Sequence, residues 1–439
     1  MTNCTPLIID FPPCQKRRVQ AQFTGGDVTS DGGVLLLRQV DKRLGLCKKR
    51  SHVIPDPRDS NKITHSQLTL LKQRIYGLAL GYEDLNDHDT LRYDPAFQTA
   101  VECDDVLASD STLCRLENRQ ARQVAWAMHK VLVELFIQSF DQPPTDLILD
   151  FDATDDRVHG QQQKRYYHGY YRNYCFLPLY VFCGDQLLVS YLRPSNQDAA
   201  KHSWAILALL VKRLRQTWPT VRIVFRGDGG FCRHALFAWC ERQGVHYIVG
   251  IPRNKRLQAQ GTCLQAQAAQ QREVTGKAQR LFADFYYGAN SGGCERRIIH
   301  KAEHTLLGAN PRFIVTNLPG DPQWLYDSLY CARGEMENRI KEQQLALFAD
   351  RTSCHAWWAN QFRLLLSSAA YLLLDNLRRL GLKDTSLARA QSHTIRLRLL
   401  KIGAVIIRNT RGVRFLLSSA YPLQSLFFLL SDRLHWAPG

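Results

Sequence analysis

The sequence predicts an α/β protein with a mixed β-sheet, preceded by a mainly α-helical region. Two observations carry this prediction. Between residues 147 and 251 the apolar and amphipathic segments follow the order strand, hairpin, helix, strand, helix, strand, which is typical of a mixed-sheet domain. Over the first 140 residues, apolar residues recur at helical spacing between polar loops.

The helical region begins after the Gly-rich segment FTGGDVTSDGG, in which Ser30 or Asp31 is expected to cap an amphipathic helix. Further helices are predicted at 66–85 and 115–140, and a proline-containing break at 141–146 ends the region. The Gly-rich segment lacks the GxxxxGK[ST] pattern of a phosphate-binding loop. We therefore expect no nucleotide cofactor.

The following segments supply the predicted sheet. Strands are expected at 147–154, 221–231 and 245–251, two more turn at Gly184-Asp185 within 174–194, and helices cover 201–218 and 234–244. The pattern then weakens: a Gln-rich stretch at 258–271 precedes short β-like pieces, and helices return at 322–350 and 355–381. The end of the chain predicts a β-hairpin around Asn409–Gly412, whose first strand places Arg396 and Arg398 on one face.

Charge and composition narrow the classes of partner and compartment. Lys and Arg number 57 against 40 Asp and Glu, a formal charge of +17, which favours a polyanionic partner, most often nucleic acid, with an anionic membrane surface as the alternative. The 13 cysteines include no CxxC pair, so we expect reduced thiols and no zinc site. No apolar run is long enough for a bilayer, and a signal peptide is not indicated. The expectation is a soluble, cytoplasmic protein.

Aspartates cluster at the end of the first predicted strand, LILDFDATDDRVHG. Because strand side chains alternate, Asp150 and Asp152 point to the face opposite Leu149 and Phe151. A carboxylate in an apolar strand is costly to bury unless it is paired, hydrogen-bonded or metal-bound. We therefore consider Asp152, at the strand end, a functional candidate; a loop cap is the alternative interpretation of Asp150. Asp155 and Asp156 are interpreted as solvated turn residues.

A second strand, VRIVFRGDGGF, delivers Asp228 to its carboxyl end, where two glycines permit close approach of a ligand or backbone. Ligands of α/β sheets tend to lie at this end of the strands. Two such carboxylates form half of a site for a hard divalent ion such as Mg²⁺. A simple Asp-Gly turn is the alternative.

The stretch SLYCARGEMENRIKEQQ, residues 328–344, is the source of a third carboxylate. At 100° per residue, one helix face carries Tyr330, Arg333, Glu337, Lys341 and Gln344. That face suits either an active-site wall, in which Glu337 completes a carboxylate triad, or a surface helix with i, i+4 salt bridges, and spacing alone does not separate the two. Glu335 and Glu342 are interpreted as solvated surface.

Taken together, DFDATDDRVHGQQ, YYHGYYRNYCFLPLYVF, RGDGGF and YCARGEMENRIKEQQ resemble the DDE transposases of bacterial insertion sequences, and among them the insertion-sequence 1380 family. TSDGGVLLLR and GLALGYEDLNDHDTLR extend the resemblance over essentially the whole chain. Tyr330, Arg333 and Glu337 match the spacing of a Tyr-Arg-Glu signature subgroup. Its lysine position holds Gln344 here, and Lys341 lies one turn earlier on the same face.

The resemblance implies an RNase H-like mixed-sheet catalytic core with a β-rich insertion, preceded by a mainly α-helical DNA-binding region. The implied divisions are a helical region for recognition of the element ends (1–140), the first part of the core (141–253), the insertion (254–320), the last part of the core (321–385) and a C-terminal hairpin and helical region (386–439).

The resemblance further implies a chemistry and its residues. Asp152, Asp228 and Glu337 would be catalytic and would bind two Mg²⁺ ions, with Mn²⁺ as a substitute, and Asp150 is the rival for the first position. The reaction would be cleavage and strand transfer of DNA at terminal inverted repeats, by a homodimer in the synaptic complex, in the bacterial cytoplasm at the nucleoid. The implied DNA contacts are Tyr330, Arg333, Lys341, Arg253, Lys255 and Arg256.

Two alternatives stay open at the level of sequence. Gln344 favours a catalytically inactive DNA-binding relic, and an RNase H-like structure-specific nuclease would use the same triad. Trp324, Trp357 and Trp358 suit either packing or the stacking of a flipped base, and we interpret them as packing residues.

Overall fold

A computed structural model of the chain describes residues 8–288 and 294–435. The chain divides into two compact units. One comprises residues 120–345 and 349–368, and the other comprises the described parts of 1–119, 346–348 and 369–439.

The first unit is built on one large sheet, which has nine strands among the described residues. Its strands are β4 Asp146–Ala153, β8 Leu179–Cys183, β9 Gln186–Tyr191, β10 Arg222–Gly227, β11 His246–Ile251, β12 Gln279–Tyr287, β13 Arg296–Thr305, β14 Gly308–Ala309 and β15 Arg312–Thr316. The order is β12-β13-β15-β11-β10-β4-β8-β9, with β14 beside β13. β4, β10 and β11 are parallel, and their other neighbours are antiparallel. The prediction of a mixed-sheet α/β protein is confirmed.

Helices cover both faces of this sheet because its central strands are apolar on both sides. Leu149 and Phe151 pack in one core with helices α7 Arg122–Gln138, α8 Ser203–Thr217 and α9 His234–Arg242. On the other face, Val224 and Ile248 pack against Leu325 and Tyr326. That second core lies under the segment that carries Glu337.

The segment after residue 254 extends the same sheet. The Gln-rich stretch forms a helix, α11 Thr262–Thr275, which follows the short α10 Lys255–Gln260. Gln and Ala are good helix formers, so this stretch needs no apolar stripe of its own to be helical. The predicted β-like pieces are β12 and β15, and β15 pairs with β11.

The helical segment at 322–350 is irregular. It begins with α12 Pro322–Trp324 and continues through a π-helical turn, Leu325–Tyr330, and a 3₁₀ turn, Cys331–Arg333. A regular helix, α13 Gly334–Lys341, and a second π-helical turn, Glu342–Ala346, complete it. α14 Trp357–Asn376 and a π-helical turn, Leu377–Gly381, form the other predicted helix.

The second unit is mainly helical. Its described helices are α1 Val34–Leu44, α2 Leu46–Val53, α3 Gln67–Leu80, α4 Asp87–Leu91, α5 Pro95–Val101, α6 Asp110–Asn118, α15 Ser392–Ile395 and α16 Gln424–Leu434. β1 Ile9–Cys14 pairs with β2 Arg17–Ala21, and β3 Val28–Thr29 joins β16 Ala404–Asn409 and β17 Gly412–Leu417. The helix predicted at 115–140 is divided between α6 and α7.

The C-terminal hairpin turns where it was predicted, but the placement of Arg396 and Arg398 on its first strand is wrong. Both residues lie in a helical turn, Arg396–Leu400, that continues α15. Ile395, Leu399 and Leu400 are buried there, at helical spacing. The alternation of Arg and Leu over 396–399 resembled a strand only because a four-residue window does not separate the two periods.

The Gly-rich TSDGG segment has a structural part in this unit. The Gly33 N–H donates to the Leu400 carbonyl at 3.1 Å, and a Cβ on Gly33 would lie 1.9 Å from the Leu399 carbonyl oxygen. Asp31 is buried and pairs with Lys401 at 2.7 Å. These glycines therefore serve close backbone approach.

Two further features bear on the sequence expectations. No helix in the described ranges is long and apolar enough to cross a membrane. The cysteines that the structure describes are free thiols.

Candidate active site

The parallel pairing of β4 and β10 positions the first two carboxylates. Asp150 lies opposite Arg226 and Phe151 opposite Gly227, so the next residues, Asp152 and Asp228, come at equivalent positions of the two neighbouring strands. Both lie at the carboxyl ends of their strands, where ligand sites of α/β sheets are found.

Asp150 is engaged by a neighbour within the sheet. Arg226 grips both carboxylate oxygens, with Nη2 at 2.7 Å from Oδ2, and both side chains are buried. Burial raises the pKa of Asp150 and Arg226 opposes that rise. Arg226 also donates to the Leu329 carbonyl, which ties the pair to the segment before Tyr330. Sequence analysis missed this arginine, although its position two residues before Asp228 mirrors that of Asp150 before Asp152.

Asp152 is nearly buried but faces the other acids. Its side chain is 14% exposed. Burial raises its pKa to about 6; Arg333 lowers it, and the charges of Asp228 and Glu337 raise it. Asp228 and Glu337 are therefore close enough to Asp152 to disfavour its charged form.

Asp228 caps the short 3₁₀ turn Gly229–Phe231. Its Oδ1 accepts a hydrogen bond from the Gly230 N–H at 2.9 Å. That bond fixes one carboxylate oxygen. Asp228 therefore also stabilises the Asp-Gly turn, which was the alternative interpretation of its sequence.

Arg333 joins the third acid to the first. Its Nη1 donates to Asp152 Oδ2 at 3.1 Å and its Nη2 donates to Glu337 Oε1 at 2.6 Å. Burial opposes its charge, but Asp152, Glu337 and Asp228 together raise its pKa. A surface i, i+4 salt bridge needs no third partner, whereas this arginine reaches a carboxylate on the central sheet. The geometry thus favours an active-site wall over a solvated salt-bridged face.

Tyr330 packs against the ends of the parallel strands. A Cβ added at Gly250, in β11, would lie 2.6 Å from the Tyr330 hydroxyl oxygen and 3.0 Å from the Gly229 nitrogen. Burial raises the pKa of Tyr330; Arg333 lowers it and Asp228 raises it. The tyrosine therefore lies beside the acids that the sequence grouped with it.

The remaining predicted DNA contacts are exposed. Lys341 lies on α13, and Arg253, Lys255 and Arg256 follow β11 at the sheet edge that carries Asp152 and Asp228. Arg256 stacks on Tyr287, its guanidinium carbon 5.4 Å from the ring centre. Gln344 donates a side-chain hydrogen bond to the Asp155 carbonyl at 3.0 Å.

Two acidic residues differ from their predicted surroundings. Asp156 was expected to be a solvated turn residue, but it is buried in the short strand β5 Asp156–Arg157, and burial raises its pKa well above its usual range. Glu342 was expected at the surface, but it is buried and pairs with Arg339 at 3.3 Å. In both cases tertiary packing overrides the local polar sequence. Glu335 is 73% exposed, as predicted.

The three tryptophans have different surroundings. Trp357 is buried against Phe176, which confirms its packing role. Trp358 lines a cavity of about 640 Å³ between α7 and α8, which none of the predicted site residues lines. Trp324 is 56% exposed, so packing does not account for it.

The carboxylates suit a hard divalent cation by their chemistry. Their oxygens are the ligands that Mg²⁺ prefers, and the mutual repulsion at Asp152 is what a bound cation would relieve. Within the described ranges no group of three His, Cys, Asp or Glu side chains is gathered closely enough to hold a metal ion. In this arrangement the Arg333 guanidinium supplies positive charge to Asp152 and Glu337.

Comparison with known proteins places the chain. The family model described as transposase DDE domain group 1 matches residues 11–438. A solved structure, the cryo-EM structure of a piggyBac transposase synaptic complex with hairpin DNA, is similar at 11% identity and a TM-score of 0.42, over 84% of this chain and 79% of that chain. Similarity at that level does not establish a shared fold, and no curated protein matches. Because the family model spans nearly the whole sequence, the chain belongs to the DDE transposase family.

Proposed function

We propose that this protein is the DNA transposase of a bacterial insertion sequence of the insertion-sequence 1380 family, with the Tyr-Arg-Glu signature. It would bind the terminal inverted repeats and catalyse strand cleavage and strand transfer. The observation that carries the proposal is that Asp152 and Asp228 lie at the ends of neighbouring parallel strands and that Arg333 donates hydrogen bonds to both Asp152 and Glu337.

The three carboxylates would hold two Mg²⁺ ions, or Mn²⁺ in their place. Ions bound there would lower the pKa of water and stabilise the leaving 3′-oxygen. The protein's own contribution is to fix the acids: β4 and β10 hold Asp152 and Asp228 in register, and Gly230 orients Asp228. Burial of Asp152 raises its pKa to about 6, and a cation held beside it would favour its charged form.

Arg333 and Tyr330 would hold phosphate oxygens near the cleaved bond. A guanidinium binds phosphate and carboxylate with the same fork of donors, so the carboxylate contacts of Arg333 and a phosphate contact are alternatives. Lys341, Arg253, Lys255 and Arg256 would contact the backbone of the DNA without reading its sequence. Sequence reading would belong to the helical region 1–140, in a homodimer that pairs two ends and needs no nucleotide cofactor.

The test is cleavage of a labelled element end by wild type and two matched variants. Glu337→Gln removes the proposed metal ligand, whereas Glu335→Gln changes an exposed acid of the same helix. We expect Mg²⁺-dependent nicking by wild type and Glu335→Gln, no nicking with Ca²⁺, and loss by at least about a thousandfold in Glu337→Gln. End binding should persist in all three.

Other outcomes would decide against the proposal. Binding of the ends by wild type without metal-dependent cleavage would instead support the inactive DNA-binding relic. Cleavage of branched DNA irrespective of its terminal sequence would support the structure-specific nuclease.

A further inference from the structure

A small hairpin beside the carboxylates is unusually rich in tyrosine. β6 Tyr166–His168 and β7 Asn173–Phe176 pair across the loop 169–172, and five of the nine residues from 166 to 174 are tyrosines. Arg172 closes the loop with a φ of 54° and donates its N–H to the His168 carbonyl at 2.8 Å. We call residues 164–174 the tyrosine hairpin.

The base of the tyrosine hairpin is fixed to the structure that carries the acids. β7 pairs with β5, which follows β4 by only two residues. Asn173 Nδ2 donates to Asp155 Oδ2 at 3.2 Å, and Ser195 Oγ donates to the Tyr166 carbonyl at 2.9 Å. Tyr171, in the loop, is near enough to Asp155 and Asp152 that, besides burial, their charges raise its pKa to about 12. The hairpin is therefore held next to the candidate active site.

The outward side of the hairpin is not needed for packing. Strand alternation puts Tyr167 on the same face as its register partner Tyr174, and their ring centres are 5.6 Å apart. Tyr167 is 57% exposed, Tyr174 48% and Tyr170, at the tip, 83%. Three exposed aromatic rings on so small a sheet indicate that they contact a ligand, because they contribute little to a core.

The residues around these rings carry positive charge, which favours an anionic ligand. No acidic residue occurs between Asp156 and Asp185, whereas the hairpin contains Lys164, Arg165 and Arg172. The Arg165 guanidinium carbon lies 4.7 Å from the centre of the Tyr174 ring. Exposed aromatic faces interleaved with cations are the pattern of proteins that bind unpaired nucleotides, with rings stacking on bases and cations on phosphates.

We propose that the tyrosine hairpin binds unpaired nucleotides at the DNA end, stacking bases on Tyr167 and Tyr170 beside the carboxylates. Lys164 and Arg165 contact the phosphates of the same strand. This rests on the proposed function for the identity of the nucleic acid, whereas stacking itself does not require catalysis. It deepens that function by separating recognition of single-stranded from double-stranded DNA.

The test is equilibrium binding, in EDTA, of a labelled duplex with a four-nucleotide single-stranded overhang, against a blunt duplex. Variants are Tyr167→Ala, Tyr170→Ala, the Phe substitutions at both positions, and Tyr286→Ala as an exposed tyrosine of β12 elsewhere in the unit. Each Ala variant should weaken binding of the overhang about tenfold, which corresponds to about 1.4 kcal/mol for the loss of one stacked base, and should leave binding of the blunt duplex within about twofold. Phe variants and Tyr286→Ala should bind like wild type.

Quenching of 2-aminopurine placed in the overhang gives a second readout that reports stacking directly. Loss of quenching in the Ala variants but not in the Phe variants is expected. Equal losses in the Ala and Phe variants, unchanged affinity in both, a stronger effect on single-stranded RNA of the same sequence, or binding of anionic vesicles in place of DNA would each overturn the inference. Because metal is absent, failure of cleavage and failure of stacking are separate results.

Discussion

Arg226 holds both oxygens of Asp150 in a buried ion pair between the parallel strands β10 and β4. One strand therefore carries two aspartates of different character on the same face. Asp150 is neutralised inside the sheet, and Asp152, two residues on, meets the other acids and Arg333.

The two aspartates should respond differently to substitution. Asp150→Ala leaves the buried Arg226 charge without its partner, which typically costs about 3–5 kcal/mol. Asp152→Asn removes a carboxylate whose charged form burial already disfavours, so at pH 7 we expect the variant to be at least as stable as wild type while its cleavage is abolished. Urea denaturation followed by circular dichroism checks this. A larger loss in Asp152→Asn than in Asp150→Ala would contradict the structural role of the ion pair.

The raised pKa of Asp152 predicts a pH-dependent stability. The folded protein keeps this proton up to about pH 6, whereas the unfolded chain releases it near 3.8. Stability contributed by the protonated group is therefore complete below pH 3.8 and is lost as the pH rises toward 6. Relative to Asp152→Asn, wild type should lose up to about 3 kcal/mol across this window.

Denaturation curves of both proteins at half-unit intervals between pH 4 and 7 measure that difference. Asp150 and Asp156 are present in both proteins, so their contributions to the pH dependence cancel in the difference. A difference that stays constant over the window would show that Asp152 titrates as an ordinary carboxyl.

The close approach of Tyr330 to β11 predicts that Gly250 cannot accept a side chain. Gly250→Ala would place its Cβ 2.6 Å from the Tyr330 hydroxyl, so the ring must move away from the acids. We expect a loss of about 1–3 kcal/mol in stability and at least a tenfold loss of cleavage. In Gly229→Ala, the matched control, the new Cβ meets nothing nearer than 3.5 Å.

The double variant Gly250→Ala/Tyr330→Phe refines this test, because it removes the hydroxyl that the new methyl group meets. Stability should recover in part relative to Gly250→Ala alone. Equal behaviour of Gly250→Ala and Gly229→Ala in both assays would refute the contact.

The position of Arg333 predicts that its guanidinium and a bound Mg²⁺ ion stabilise the same carboxylates. Arg333→Gln removes the cation that contacts Asp152 and Glu337, leaving the carboxylates to repel one another. The variant should be less stable than wild type in EDTA and should gain more from added Mg²⁺, because a ligand bound only by the folded state stabilises it. Thermal unfolding measures both effects when it is recorded in EDTA and at a Mg²⁺ concentration about tenfold above the midpoint of the Mg²⁺ titration.

Arg339→Gln is the control for this experiment. Arg339 lies on the same helical segment as Arg333, but it pairs with Asp185 and Glu342 and not with the candidate site acids. It should lose stability in EDTA without any greater response to Mg²⁺. A larger Mg²⁺ response in Arg339→Gln than in Arg333→Gln would place the cation elsewhere.

The sequence was most informative where local pattern and packing agree. The strands that carry Asp152 and Asp228 were predictable because each is a short apolar run bounded by turn residues, and the structure places both acids at neighbouring strand ends. Glu337 was not decided by its spacing alone. The helical segment around it changes from π to 3₁₀ to α within 17 residues, 325–341, so its facing cannot be computed from a constant 100° per residue.

The errors have a common physical origin in contacts that are distant in sequence. Asp156 and Glu342 look solvated because their neighbours in sequence are polar, but the fold covers them. Arg396 and Arg398 lie in a short helical turn, too brief for a period to emerge. The tyrosine hairpin contributes to the family resemblance, but its five tyrosines and its lack of acidic residues are themselves a sequence signal for a binding surface.

The shared register of β4 and β10 has a consequence for finding such sites in other sequences. Asp-x-Asp at the end of one strand and Arg-x-Asp at the end of the next give two matched rungs: Asp150 is paired with Arg226 inside the ladder, and Asp152 and Asp228 stand at equivalent positions just past its last pair. The inner rung cancels its own charge, and the outer rung does not. A one-residue deletion in either strand would disrupt both rungs together. A search for both patterns in one sequence is therefore more specific than a search for a single aspartate motif.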